Sequence, residues 1–267
     1  MKRVIYVIGI IFIALLLIFS LTGCTKKEEN TAIVIKTSDL PQKTENKVEN
    51  TINGDEEMEI NYLEAAEKQM SKPEKGETIA IIKVKGFGEM RFKFFPEIAP
   101  KAVENFVKHS EDGYYDGLTF HRIMEGFMIQ GGDPEGNGRG GESIWGTGFG
   151  TELDQRLVPF KGSLCMAMSS LPNSIGSQYF ITQAGYSERE ATYLERLGYS
   201  EEFMEQYKKY GGSIYSLYMK YTVFGQLYEG FDVLDKIAAV ETTYSASGEK
   251  SIPVEDVIVE KITITKY

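Results

Sequence analysis

The groups most able to do chemistry are concentrated in Phe120-His121-Arg122-Ile123-Met124-Glu125-Gly126-Phe127-Met128-Ile129-Gln130-Gly131-Gly132-Asp133. Arg122 is charged at any working pH and presents a rigid fork of donors. Held in place, such a fork can stabilise a transition state by hydrogen-bond donation. Taken singly, Phe127 and Met128 read as core, Arg122 as a surface ion pair, and Gln130 as satisfying a strand. His121 could serve as a general base. The only other histidine is His109, and the two cysteines, Cys24 and Cys165, sit in very different contexts. No Cys/His spacing for zinc exists, and no disulfide is expected. The run Gly136 to Gly141 lacks the Gly-Lys-Ser/Thr of a phosphate loop and reads as a plain loop. Cys165, in an apolar run, reads as an inert buried thiol.

These residues need a scaffold, and the chain from Glu77 onward can supply one. Thr78 to Val84 is β-rich, Gly86-Phe87-Gly88 is a turn, and Met90, Phe92 and Phe94 alternate with polar neighbours, which predicts a hairpin. Pro100 suits the first turn of a helix carrying Val103, Phe106 and Val107 and stopping at Gly113. A second helix is predicted over Phe231 to Val240 and a last strand over Val257 to Thr265. Many short strands with two core helices read as a mainly β protein, a barrel with helices closing its ends. Residues about 185–215 read as an inserted helical hairpin. Ser187 with Glu190 makes a capping box, Gly198 is a stop, and Ser200 caps a second helix ending before Gly211-Gly212. Leu194, Leu197, Phe203, Met204 and Tyr207 supply its apolar faces.

Two further segments complete a pattern: Gly162-Ser163-Leu164-Cys165-Met166-Ala167-Met168, then Pro172-Asn173 and Gly176-Ser177-Gln178-Tyr179-Phe180-Ile181; and Thr222-Val223-Phe224-Gly225-Gln226-Leu227. With the Arg122 stretch, in this order, they closely resemble the cyclophilin-type peptidyl-prolyl cis-trans isomerases. The resemblance implies a closed antiparallel eight-stranded β-barrel capped by two α-helices, over residues 77–267. It implies an enzyme that needs no cofactor and no metal and acts on proline-containing polypeptides; a monomer is expected, although the sequence does not identify the oligomeric state. Arg122, Phe127 and Gln130 would be catalytic. Met128, Ala167, Met168, Gln178, Phe180, Leu217 and Tyr221 would bind substrate, Phe127, Met128, Phe180 and Leu217 forming an apolar floor for the ring. The reaction breaks no bond: it rotates a C–N bond of partial double character, and the prolyl nitrogen becomes pyramidal on the way. Arg122 can donate to that nitrogen or to the nearby carbonyl oxygen. No proton moves, so His121 takes a structural role.

The sequence departs from the family at the groove. Met168 stands where Asn is usual, Tyr221 where His is usual, and Ser216 where many members have Trp, although a one-residue shift would put Tyr215 there instead. The 185–215 insertion lies beside the same region, where it can wall the groove and select substrates.

Residues 1–23 carry Lys2 and Arg3, then an apolar run from Val4 to Leu21, and are followed by Cys24. That order reads as a secretory signal or, since 18 apolar residues can nearly span a bilayer, as an uncleaved transmembrane helix, and both put the rest of the chain outside the cytoplasm. Leu21-Thr22-Gly23-Cys24 resembles the lipobox of bacterial lipoproteins, which implies a lipid anchor on Cys24 and a location on the outer face of the cell membrane. Residues 24–76, rich in Lys, Glu, Asn and Thr, read as a flexible tether spanning roughly 40 Å. Within it, Glu59 to Met70 could form a helix. The formal charge is −10, and −12 without the signal; nucleic acid is therefore not an expected partner.

Overall fold

Alternating apolar residues make β1 (Thr78–Val84) and β2 (Gly88–Phe94) a hairpin in the computed structural model, which describes residues 60–267. Ala80 lies opposite Phe92 and Ile82 opposite Met90, all fully buried. Gly86 and Gly88 have φ of +79° and +125°, values a side chain resists, which is why the turn is built on glycine. The helix α2 (Pro100–Glu111) starts on its proline, and its Phe106 is the hub of the core. The rings of Tyr115, Tyr179 and Phe224 lie within 5.3 Å of it, centroid to centroid.

The further strands are β3 (Arg122–Met124), β4 (Met128–Gly131), β5 (Ser163–Met166), β6 (Tyr179–Thr182), β7 (Val223–Glu229), the short pair β8 (Thr242–Tyr244) and β9 (Lys250–Pro253), and β10 (Val259–Lys266). Eight of them form one antiparallel sheet in the order β10-β1-β2-β7-β5-β6-β4-β3. The second predicted helix is α6 (Phe231–Ala238), packed on β2, β3 and β4, whereas α2 packs on β7 and β10. The expected closed barrel is corrected to an open, curled sheet with β10 and β3 as its end strands. Pairing across the gap falls instead to the chain just before β3. Gly117 and Phe120 donate to the carbonyls of Val259 and Val257 at 2.8 and 2.9 Å.

The insertion forms α3 (Glu188–Arg196), α4 (Glu201–Tyr210) and a single turn α5 (Ile214–Leu217). Ser187 and Ser200 cap the first two, and Gly198 turns the chain with φ +82°. Only half of the expected capping box forms. The Glu190 carboxylate accepts from the Tyr215 N–H at 2.8 Å, and the Ser187 N–H goes to the Tyr207 hydroxyl. Leu194, Phe203 and Tyr207 are buried as expected, but Leu197 is exposed.

A helix, α1 (Tyr62–Met70), lies inside the range assigned to the tether, and it is docked rather than free. Tyr62 meets Phe203 edge to face at 5.2 Å, and Ala66 joins a second core with Phe160, Leu194, Phe203 and Tyr207. Gln69 is 1% exposed. It donates to the Val158 carbonyl at 2.7 Å and to Gln226 Oε1 at 3.1 Å, and accepts from the Val158 N–H at 3.0 Å. Removing it strands buried polar groups. The variant Gln69→Ala is expected to lose about 1–2 kcal/mol of stability, read as a lower denaturant midpoint at unchanged slope. An unchanged midpoint would show that α1 is not docked in solution.

Candidate active site

The site is a row across four strands. The registers place Arg122 opposite Gln130, Gln130 opposite Phe180, and Phe180 opposite Cys165. Side chains opposite one another share a face of the sheet, and their chain neighbours take the other face. Ile123, Ile129, Ile181 and Leu164 accordingly point into the main core, all fully buried. The Arg122 row faces a smaller apolar cluster of Met128, Cys165, Phe180, Leu217 and Val223. Period 2 thus separates site from core. A one-residue slip in β3 would bury Arg122 and expose Ile123.

Arg122 is held on three sides. Its Nε and Nη2 donate to the two carboxylate oxygens of Glu249 at 2.7 and 2.9 Å. Its Nη1 donates to Gln130 Oε1 at 3.2 Å. Gln130 passes the chain on, donating to Gln178 Oε1 at 2.9 Å, and Gln178 donates to the Gly140 carbonyl at 2.8 Å. Of the five N–H donors of a guanidinium, two remain. Nearby are only thioether sulfurs, Met128 Sδ at 3.7 Å from Nη1 and Met124 Sδ at 3.2 Å from Nη2. Thioethers are weak acceptors, easily exchanged for a better one. The Phe127 ring centroid lies 6.0 Å from the guanidinium carbon. Hydrogen bonding from Arg122 first of all brings the Glu249 carboxyl down to about 2.

Arg122, Phe127, Met128, Gln130, Ala167, Met168, Phe180, Leu217 and Tyr221 line one concavity of about 270 Å³, together with Ser216. Phe180 and Tyr221 form its wall as an edge-to-face pair at 5.4 Å. Gln178 lines an adjoining hollow of about 290 Å³, which shares Gln130, Ala167 and Met168 with the first. The expected site residues are therefore gathered in two neighbouring hollows. Glu249 is the contact that sequence reasoning missed. Leu217 reaches the site through α5, an element that was not foreseen.

Both ring nitrogens of His121 are buried without a partner among the described residues, and burial first of all lowers its pKa. The Gly-rich loop is tied by Asp133, whose carboxylate accepts from the backbone N–H groups of Glu135, Asn137, Gly138 and Arg139. The Cys165 thiol is fully buried, and burial pushes its pKa far up.

Comparison with known proteins gives the family. Residues 79–264 match the family model described as cyclophilin type peptidyl-prolyl cis-trans isomerase/CLD. A candidate peptidyl-prolyl cis-trans isomerase of Staphylococcus epidermidis is 43% identical over 197 residues, 73% of this chain and 96% of that protein. One from Staphylococcus haemolyticus is 45% identical over 178 residues, 66% and 86% of the two chains. Among solved structures, a cyclophilin type isomerase of Cryptosporidium parvum, crystallised in the presence of the dipeptide Ala-Pro, is 32% identical. Its TM-score is 0.55, over 71% of this chain and 99% of that one. With the three motifs, the strand row and the matched span in agreement, the chain belongs to the cyclophilin-type peptidyl-prolyl cis-trans isomerase family.

Proposed function

We propose that this isomerase accelerates X–Pro rotation in exported proteins as they fold at the outer face of the cytoplasmic membrane. One observation carries the assignment of the site: Arg122, whose two remaining N–H groups meet only the weakly accepting sulfurs of Met124 and Met128, lines a hollow of about 270 Å³ with Phe127, Met128, Phe180, Leu217 and Tyr221. A proline ring needs apolar contact and no donor, and its nitrogen needs a donor only in the twisted state. Arg122 supplies that donor, Phe127 and the floor take the ring, and Gln130 orients Arg122. Ala167 already donates its N–H to the Gln178 carbonyl at 3.0 Å. An extended substrate therefore pairs with the Ala167 carbonyl and the Met168 backbone, and Gln178 adds a polar contact. The test is the cis-to-trans rate of a short X–Pro peptide with full-length protein, which is expected to rise in proportion to enzyme. Binding of such peptides with no rise above the spontaneous rate would make the protein a holdase for proline-containing segments.

The anchor rests on the sequence, since Cys24 lies outside the described residues. Lipid on Cys24 would hold the chain stably only with two or more acyl chains. Cells fed radiolabelled palmitate are expected to label the wild type and not Cys24→Ala. Equal labelling of the two would overturn the anchor.

A further inference from the structure

The Arg122 hollow does not end at its rim. Ser216 lines it and also lines a second, larger hollow of about 710 Å³ on the inserted helices. A serine side chain makes a low sill, so an extended peptide leaving the first hollow can run into the second. The wall there is one face of α3: Arg189, Tyr193 and Arg196 stand at i, i+4 and i+7 and therefore line up along the helix. Opposite them Tyr215 meets Tyr193 edge to face at 4.5 Å, and both rings are substantially exposed.

The charge in this hollow runs against that of the chain, which is −10 overall. Arg189 and Arg196 are exposed, and neither forms an ion pair among the described residues. The one acid lining the hollow, Glu190, already accepts the Tyr215 N–H. A third cation, Lys220, lies 5.1 Å from the Tyr215 ring centroid and donates to the Tyr215 carbonyl at 2.9 Å. Guanidinium forks bind carboxylates bidentately, and tyrosine faces cover the apolar stem that carries one.

We propose that the hollow of Arg189, Tyr193, Arg196 and Tyr215 is a subsite for an acidic residue of the same polypeptide whose proline fills the Arg122 hollow. This rests on the isomerase reading of that site. A hollow of this volume is about 9 Å across, and an extended chain advances about 3.3 Å per residue. The acid therefore lies about two to four positions from the proline. The inserted helices thus make this isomerase selective for proline segments with a neighbouring Asp or Glu.

The experiment compares matched peptides of about a dozen residues, with Asp or with Lys two to four positions to either side of one X–Pro bond. A four-residue X–Pro peptide without flanks is the control. With full-length protein at low salt, Asp peptides are expected to show kcat/KM about three- to tenfold above Lys peptides, the range two exposed ion pairs can supply. At 1 M salt, where screening acts within about 3 Å, the preference is expected to collapse. In the double variant Arg189→Glu/Arg196→Glu it is expected to vanish or reverse, with the four-residue control unchanged. No preference for Asp, or one that survives in the double variant, would overturn the subsite. Peptide binding by fluorescence anisotropy runs in parallel. Failure to turn over even the control, with Asp-selective binding that depends on the arginines, would sink the isomerase reading and leave the subsite standing.

Discussion

Arg122→Ala is expected to lower kcat/KM for short X–Pro peptides by about 100- to 1,000-fold, the range for removing a preorganised donor. The isomerisation has no nucleophile and no proton transfer, so stabilising the twisted state must do much of the work. A millionfold acceleration requires about 8 kcal/mol in all. Positioning by the apolar hollow and desolvation supply the remainder, which is why the loss stops short of complete. Arg122→Lys is expected to recover little. An ammonium cannot hold both Glu249 oxygens and Gln130 while still aiming donors at the hollow. Arg122 is only half-buried, so the alanine variant is expected to fold, with a lower melting temperature because it loses the pair with Glu249. A folded Arg122→Ala protein within threefold of wild type would show that the chemistry lies elsewhere.

Why this residue was legible and its partner was not follows from sequence distance. Arg122, Phe127, Met128 and Gln130 lie on one tight hairpin, so their spacing alone sets their cross-strand register. The inserted helices were also legible, because Ser187, Ser200, Gly198 and Gly211 are local signals that act within one turn. Glu249 is different. It is 127 residues from Arg122, beside the short β8–β9 pair, and nothing local marks a glutamate as the mate of a distant arginine. The same limit hid the docking of α1. Its composition is that of a solvated helix, and the surface that buries Ala66 and Gln69 is made by Val158, Ser163 and the insertion. The open edge of the sheet was hidden too, because β3 is only three residues long and the strand-like pairing passes to the chain before it. Local patterns therefore gave the donor and the floor of the site, whereas tertiary contacts decided what holds the donor still.

Glu249→Ala is expected to lower kcat by about 10- to 100-fold while leaving KM nearly unchanged. Two effects of the carboxylate oppose each other. It partly neutralises the guanidinium, which weakens donation, and it fixes the guanidinium plane through two bonds of 2.7 and 2.9 Å. The twisted X–Pro bond develops a lone pair and no net charge, so aim matters more than charge. Freed, the arginine regains about 2 kcal/mol of rotamer entropy, and a misplacement of about 1 Å can cost 100-fold. Positioning should therefore win. The hollow's walls do not involve Glu249, so substrate affinity stays. Glu249→Gln keeps one acceptor and is expected to lose less than alanine does. The Arg122 Nε–H proton should exchange slowly in the wild type and fast in Glu249→Ala, which separates positioning from a mere loss of stability. The pH dependence has a definite sign. The carboxyl titrates at about 2 when folded and near its ordinary value of 4.5 when unfolded. The stability it contributes is thus complete above about pH 5, and it drains away as pH falls from about 4.5 towards 2. The carboxylate stays ionised throughout the neutral range, so this group should leave kcat/KM flat there. Glu249→Gln is expected to lose part of the acid-side fall in stability. Wild-type or higher kcat in a folded Glu249→Ala protein, with Nε–H exchange unchanged, would mean that Arg122 is aimed by its strand and Gln130 alone.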